Sequence, residues 1–228
     1  EYNKRLGIHA PEQKGHDIVD LSARDETRRQ EAVEIMQQVI DKVRENVKPS
    51  FSSDKPFIVI HPGGITEHEM EMDKIPEMNT ALEQSMNELD DSGVELLVEN
   101  MPPLPWIYGG QQYHNNFMDA EEIAEYCERT GQMICYDTSH AKLWCNYADK
   151  DLYEHAKTLR PYTKYLHIAD AIGVDGEGIQ IDEGEINFTR LMSLYEDFDG
   201  PIVTEIWRGH EREGRGFKIA AERLRKYL

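Results

Sequence analysis

Six short apolar runs, each followed by a longer amphipathic or polar stretch, constrain this chain more than any other feature. They are RLGIHA (5–10), FIVIHP (57–62), ELLVEN (95–100), MICYDT (133–138), KYLHIA (164–169) and PIVTEI (201–206). Their length and β-branched content predict strands. Between the first two, DETRRQEAVEIMQQVIDKVREN sets Ala32, Ile35, Met36, Val39, Ile40 and Val43 on one helical face. DAEEIAEYCERTG opens with an acidic turn and ends at Gly131, a predicted C-cap, and GFKIAAERLRKYL predicts a basic closing helix. Such alternation predicts an α/β fold with a parallel sheet, crossover helices and six βα units. No linker, short repeat or low-complexity tract interrupts the 228 residues, which predicts a single domain over 1–228.

Each run carries a metal-competent polar residue at its C-terminal end: His9, His61, Glu99, Asp137, His167 and Glu205, with His140 just beyond Asp137. In a (β/α) barrel all strand C-termini converge on one face, where active sites sit. One strand-end histidine or carboxylate alone is compatible with an ordinary core or loop role. All six together predict one pocket assembled from dispersed positions. Imidazole nitrogens and carboxylate oxygens suit Zn²⁺ or Mn²⁺, with Mg²⁺ and Co²⁺ as alternatives. The set contains no thiolate, which points away from a structural zinc site and toward a metal with open positions for Lewis-acid chemistry.

Composition narrows the partners. With 44 acidic and 25 basic residues the net charge is −19, a surface that repels nucleic acid and anionic membranes. No apolar run approaches the ~20 residues that span a bilayer. Cys127, Cys135 and Cys145 form no CxxC pair, which predicts free thiols and a cytoplasmic setting. The chain opens at Glu1 rather than Met.

FIVIHPGG, LLVEN, ICYDTSHA, YLHIADA and PIVTEI, in this order, resemble the xylose-isomerase-like TIM-barrel superfamily. That group includes ketose 3-epimerases, inosose dehydratases, hydroxypyruvate isomerases and metal-dependent abasic-site endonucleases. The resemblance implies one divalent metal held by Glu99, Asp137, His167 and Glu205, with His140 binding substrate. It implies an isomerase or epimerase that works by enediolate proton transfer on a small sugar, with Glu99, Glu205 and His140 as the catalytic residues. It also implies that His9 ends the third strand of the family's barrel. The fold expected is then an incomplete TIM barrel whose first two βα units are missing. The chain would be a fragment, or its barrel would be completed by a fused domain or a second copy.

The rival reading is a zinc-dependent phosphodiesterase, since the endonucleases bind further zinc ions through histidines at the positions of His9 and His61. Their third zinc uses an Asp-x-His in the loop that reads DAIGVDGEGIQIDEGEINF here; this loop offers Asp175 and Glu177 but no histidine. A non-catalytic metal-binding module is the remaining alternative. The epimerases' arginine after the metal-binding histidine has no counterpart behind His167. The 204–224 tail and the 175–188 loop resemble barrel domains found beside sialic-acid-type sugar synthesis enzymes, which implies surface-polysaccharide or nonulosonate sugar metabolism. Further substrate contacts are expected from Trp106 in the proline-stiffened loop MPPLPWIYGG, from Lys142 as a partner for phosphate or carboxylate, and from Trp207 and Arg208 beyond Glu205. His16, His68, His114, His155 and His210 are expected to be solvated, with His210 the one nearest in sequence to the pocket.

Overall fold

The computed structural model describes residues 5–51 and 55–228, which form two compact units. The first comprises Glu1–Glu99 with Ile107–Asn116, and the second Asn100–Trp106 with Phe117–Leu228.

Three parallel strands build the first unit: β1 (Gly7–His9), β2 (Phe57–Ile60) and β3 (Glu95–Glu99). β1 pairs with β2 from Gly7↔Phe57 to His9↔Val59, and β2 with β3 from Phe57↔Glu95 to Ile60↔Val98. Ile58, Val59, Ile60, Leu96, Leu97 and Val98 are all buried, so these two strands read as continuous apolar runs, as a sheet covered on both faces requires. Helix α1 (Glu26–Lys42) follows β1 and starts at Asp25, whose carboxylate accepts the Arg28 N–H at 2.9 Å. Its buried stripe is Arg29, Ala32, Val33, Met36 and Ile40, continued by Val43; Ile35 and Val39, expected on this face, stand at its margin. Arg29 is buried because its guanidinium meets Glu26 at 2.7 Å, Glu88 at 2.9 Å and the Ser85 hydroxyl at 3.2 Å. Helix α2 (Ile75–Glu88), which carries Ser85 and Glu88, follows β2.

The second unit repeats the pattern. β4 (Ile134–Asp137), β5 (Thr163–Ile168) and β6 (Ile202–Thr204) are parallel, with Asp137↔His167 and His167↔Val203 in register. Helix α3 (Ala120–Thr130) precedes β4, starts at Asp119 and ends at Gly131, whose φ of 77° is the left-handed C-cap the sequence predicted. α4 (Thr138–Ala148) and α5 (Leu152–Leu159) follow β4, α6 (Phe188–Ser193) follows β5, and α7 (Glu211–Leu224) follows β6. Between β5 and α6 an antiparallel ribbon pairs Asp170–Ile172 with Gly176–Ile179. α7 is kinked within its first turn, with Arg212, Glu213 and Gly214 in left-handed conformation.

Among the described residues there are six parallel strands, each followed by helix, as the alternation predicted. A closed (β/α) barrel has eight, so the barrel is incomplete. Cys127, Cys135 and Cys145 are all buried free thiols. Among the described residues no helix is long and apolar enough to cross a membrane.

Candidate metal and substrate site

In the first unit His9, His61 and Glu99 converge. Both imidazole Nε2 atoms lie 3.2 Å from the same oxygen, Glu99 Oε2, and the two rings meet edge to face at 4.9 Å. The Glu99 carboxylate is fully buried. His9 Nδ1 stands 2.8 Å from the Ala10 carbonyl, which can only accept, so Nδ1 carries the proton. In the neutral ring Nε2 would then aim a lone pair at a carboxylate oxygen. Either a second proton or a shared cation relieves that repulsion. Two imidazole nitrogens and a carboxylate oxygen form a donor set that would suit a divalent cation. One ligand atom from each of the three residues lies within 4.8 Å of the other two.

In the second unit Asp137, His167 and Glu205 converge in the same sense, their ligand atoms also within 4.8 Å of one another. His167 Nδ1 lies 2.7 Å from Glu205 Oε2, and its ring stacks edge to face on Tyr165. Asp137 has two jobs. It is the last residue of β4 and the N-cap of α4, with Oδ1 accepting the His140 N–H at 2.7 Å. A strand that turns into a helix without a loop fixes its end residue tightly, and the cap sets the carboxylate and the imidazole three residues apart. Its backbone is clamped as well: Asn100 Oδ1 accepts the Asp137 N–H at 2.8 Å, and Asn100 Nδ2 donates to the Asp137 carbonyl at 3.0 Å.

His140 is held through one ring nitrogen and faces a carboxylate with the other. Nδ1–H donates to the Asn100 carbonyl at 2.9 Å, while Nε2 faces Glu177 Oε1 at 3.4 Å. Asp170, just past β5, is buried and its carboxyl is raised above the usual range by desolvation. The N–H groups of Ile186, Gly184 and Ala171 partly offset that rise and tie the ribbon and the 184–186 loop to the strand end.

The other expected contacts divide. Lys142 Nζ donates to Asn146 Oδ1 at 2.6 Å and lies 3.3 Å from Glu185, so its charge is already met. Arg208 Nε donates to Glu211 at 2.6 Å. Trp106 and Trp207 are 71% and 74% exposed. Two histidines expected in solvent are buried instead, His114 and His155. His155 lies on the apolar face of α5 and is satisfied there: Nε2–H donates to the Met118 carbonyl at 2.9 Å, and Nδ1 accepts from Tyr136 Oη at 3.1 Å. Burial lowers its pKa to about 4. Two residues carry more than the sequence suggested. Asn100 could have been suspected from its place directly behind a strand-end glutamate. Glu177, weighed only as a further metal ligand, faces His140.

The family model of the xylose isomerase-like TIM barrel matches residues 1–227. An uncharacterized protein of Methanocaldococcus jannaschii, MJ1311, is 24% identical over 208 residues, 90% of this chain. The chain spans 65% of that relative's length. Among solved structures, a D-tagatose 3-epimerase-like protein superposes with a TM-score of 0.73 at 22% identity, covering 100% of this chain and 78% of its own. IOLI protein with a bound zinc atom gives 0.71 at 14% identity, covering 98% and 77%. The 3-keto-D-glucoside 4-epimerase YcjR from E. coli gives 0.68 at 15% identity, covering 97% and 78%. These likenesses are of fold. The match over 1–227, the six βα units and the polar strand ends lead to one conclusion: the chain belongs to the xylose isomerase-like TIM barrel family.

Proposed function

We propose that this protein is a divalent-metal-dependent sugar isomerase or epimerase, with Glu99, Asp137, His167 and Glu205 as the ligands of one ion. The observation that carries this reading is the buried strand-end pair Asp137 and His167, in register on neighbouring strands and joined by Glu205. Buried carboxylate and imidazole without thiolate form a donor set suited to Zn²⁺ or Mn²⁺. Sugar epimerases among the similar folds, and a zinc atom in one of them, support the substrate class and the metal.

A divalent ion bound there supplies Lewis-acid polarisation of substrate oxygens. The chain's own residues do the rest. Glu99 and Glu205 stand on strands distant in sequence and exchange a proton at the substrate carbon, one removing it and the other returning one. His140, fixed by the Asn100 carbonyl, orients a substrate oxygen. The test is solvent deuterium exchange at carbon with aldoses, ketoses and N-acylated amino sugars in the presence of Mn²⁺ or Zn²⁺. Incorporation into at least one sugar supports the reading, and none into any of them sinks it.

A second reading has one observation behind it. His9, His61 and Glu99 form a ligand group of their own, and a two-metal site suits phosphodiester hydrolysis. Cleavage of a simple aryl phosphodiester, with no sugar exchange, would select it.

A further inference from the structure

The ribbon that follows β5 is built to hold one carboxylate against His140. Gly178 is fixed from two sides: its N–H donates to Ser139 Oγ at 3.0 Å, and its carbonyl accepts the Trp207 N–H at 2.8 Å. Ser139 in turn donates to the Asp170 carbonyl at 3.2 Å, so the first turn of α4 locks both strands of the ribbon. Gly178 has φ of 65°, and a Cβ there would meet Trp207 N at 2.9 Å, so this approach requires glycine. Glu177 precedes it, and its own N–H donates to the Asp175 carbonyl at 3.1 Å. The result is a side chain 43% exposed whose Oε1 lies 3.4 Å from His140 Nε2.

The positive charges in this unit that the sequence offered to an anionic substrate are committed elsewhere. Lys142 is paired with Glu185 and bonded to Asn146, and lies two positions from His140 on α4, where side chains do not face each other. Arg208 is paired with Glu211.

We propose that Glu177 is a specificity-determining residue: beside His140 it accepts a hydroxyl or ammonium donor of the substrate and repels phosphorylated or carboxylated sugars. The inference rests on the sugar reading above and names its substrate class as uncharged or amino sugars. A carboxylate has about four lone-pair sites and no proton to donate, so Glu177 offers itself to a substrate donor. Repulsion of the wrong partner is as effective a source of selectivity as attraction of the right one. The ribbon holds the backbone of Glu177 beside His140, so a phosphate or carboxylate group reaching His140 meets like charge at short range.

Calorimetric binding of D-fructose, its 6-phosphate and D-glucosamine to Mn²⁺-loaded protein tests this. Wild type is compared with Glu177→Gln, an isosteric change at a partly exposed position. Wild type should bind the phosphate at least about 10-fold more weakly than one of the other two sugars. Glu177→Gln should erase most of that gap and weaken D-glucosamine relative to D-fructose. NMR signals of the His140 ring should shift in the variant while the remaining spectrum stays folded. Equal binding of phosphate and parent sugar by wild type overturns the proposal, as does an unchanged ratio in Glu177→Gln. Failure of all three to bind overturns it together with the sugar reading. The predicted charge order without deuterium exchange leaves the charge rule standing and sinks the isomerase.

Discussion

Asn100 holds Asp137 by both backbone polar groups, donating to its carbonyl at 3.0 Å and accepting its N–H at 2.8 Å. The same residue's carbonyl takes the His140 Nδ1–H. One buried residue therefore orients a proposed ligand with its side chain and a proposed substrate-binding imidazole with its backbone.

Replacing Asn100 by Ala removes two buried hydrogen bonds and leaves their partners unsatisfied. The expected loss is about 2–4 kcal/mol of stability. Supports of this kind behind metal ligands commonly alter metal affinity by about 10–100-fold. Urea unfolding with and without Mn²⁺ should show both effects. A variant with wild-type metal affinity would show that the clamp serves folding alone.

Metal content is the second expectation. Protein purified without chelator should carry about one equivalent of divalent metal, and chelation should lower its Tm, since a ligand bound only to the folded state stabilises it by mass action. Asp137→Ala should lose the metal. His9→Ala should leave the first equivalent in place if Glu99, Asp137, His167 and Glu205 hold it, and should abolish any second equivalent. Elemental analysis of the two variants distinguishes these outcomes.

The sequence made the strand ends legible because each candidate ligand terminates a β-rich run, and period and polarity change together at that point. Gly131 was legible for a similar reason, since only a left-handed cap explains a glycine behind a polar helical turn. His155 was not. Leu152, Ala156 and Leu159 share its helical face, yet nothing local reveals that the Met118 carbonyl and the Tyr136 hydroxyl wait on either side of its ring. Lys142 was misleading in the same way, because Glu185, its partner, lies 43 positions on, inside a loop. Long-range polar pairing leaves no periodic signal. The shift of the α1 stripe toward Val33 has a different origin: burying Arg29, with its Glu26 and Glu88 partners, rotates the inner face.

The two-carboxylate mechanism makes a third expectation. Glu99→Gln and Glu205→Gln should each lower proton exchange by about 10²–10⁴-fold, the usual range for one acid or base. The carboxamide oxygen still ligates metal, so metal content is measured beside activity. His140→Asn should weaken substrate binding with metal retained. If both Glu→Gln variants keep full metal and near wild-type exchange, the base lies elsewhere, with His61 and His9 next in line.

The last expectation concerns pH and stability. Burial of His155 lowers its pKa to about 4 from an ordinary value near 6.5. The folded state therefore holds this ring neutral, while the unfolded chain gains a proton as pH falls through about 6.5. Stability from the neutral ring is complete above that value. It declines as pH falls toward about 4, where the folded protein itself becomes protonated, and the accumulated loss is roughly 3 kcal/mol. The ring cannot escape this by turning outward, because Nε2–H is spent on Met118 and Nδ1 on Tyr136. His155→Gln keeps a donor and an acceptor in the same cavity but has no proton to gain. Between pH 7 and pH 5 the wild type should lose about 1–2 kcal/mol more than this variant in urea unfolding, and parallel losses would show that another group governs the acid limb.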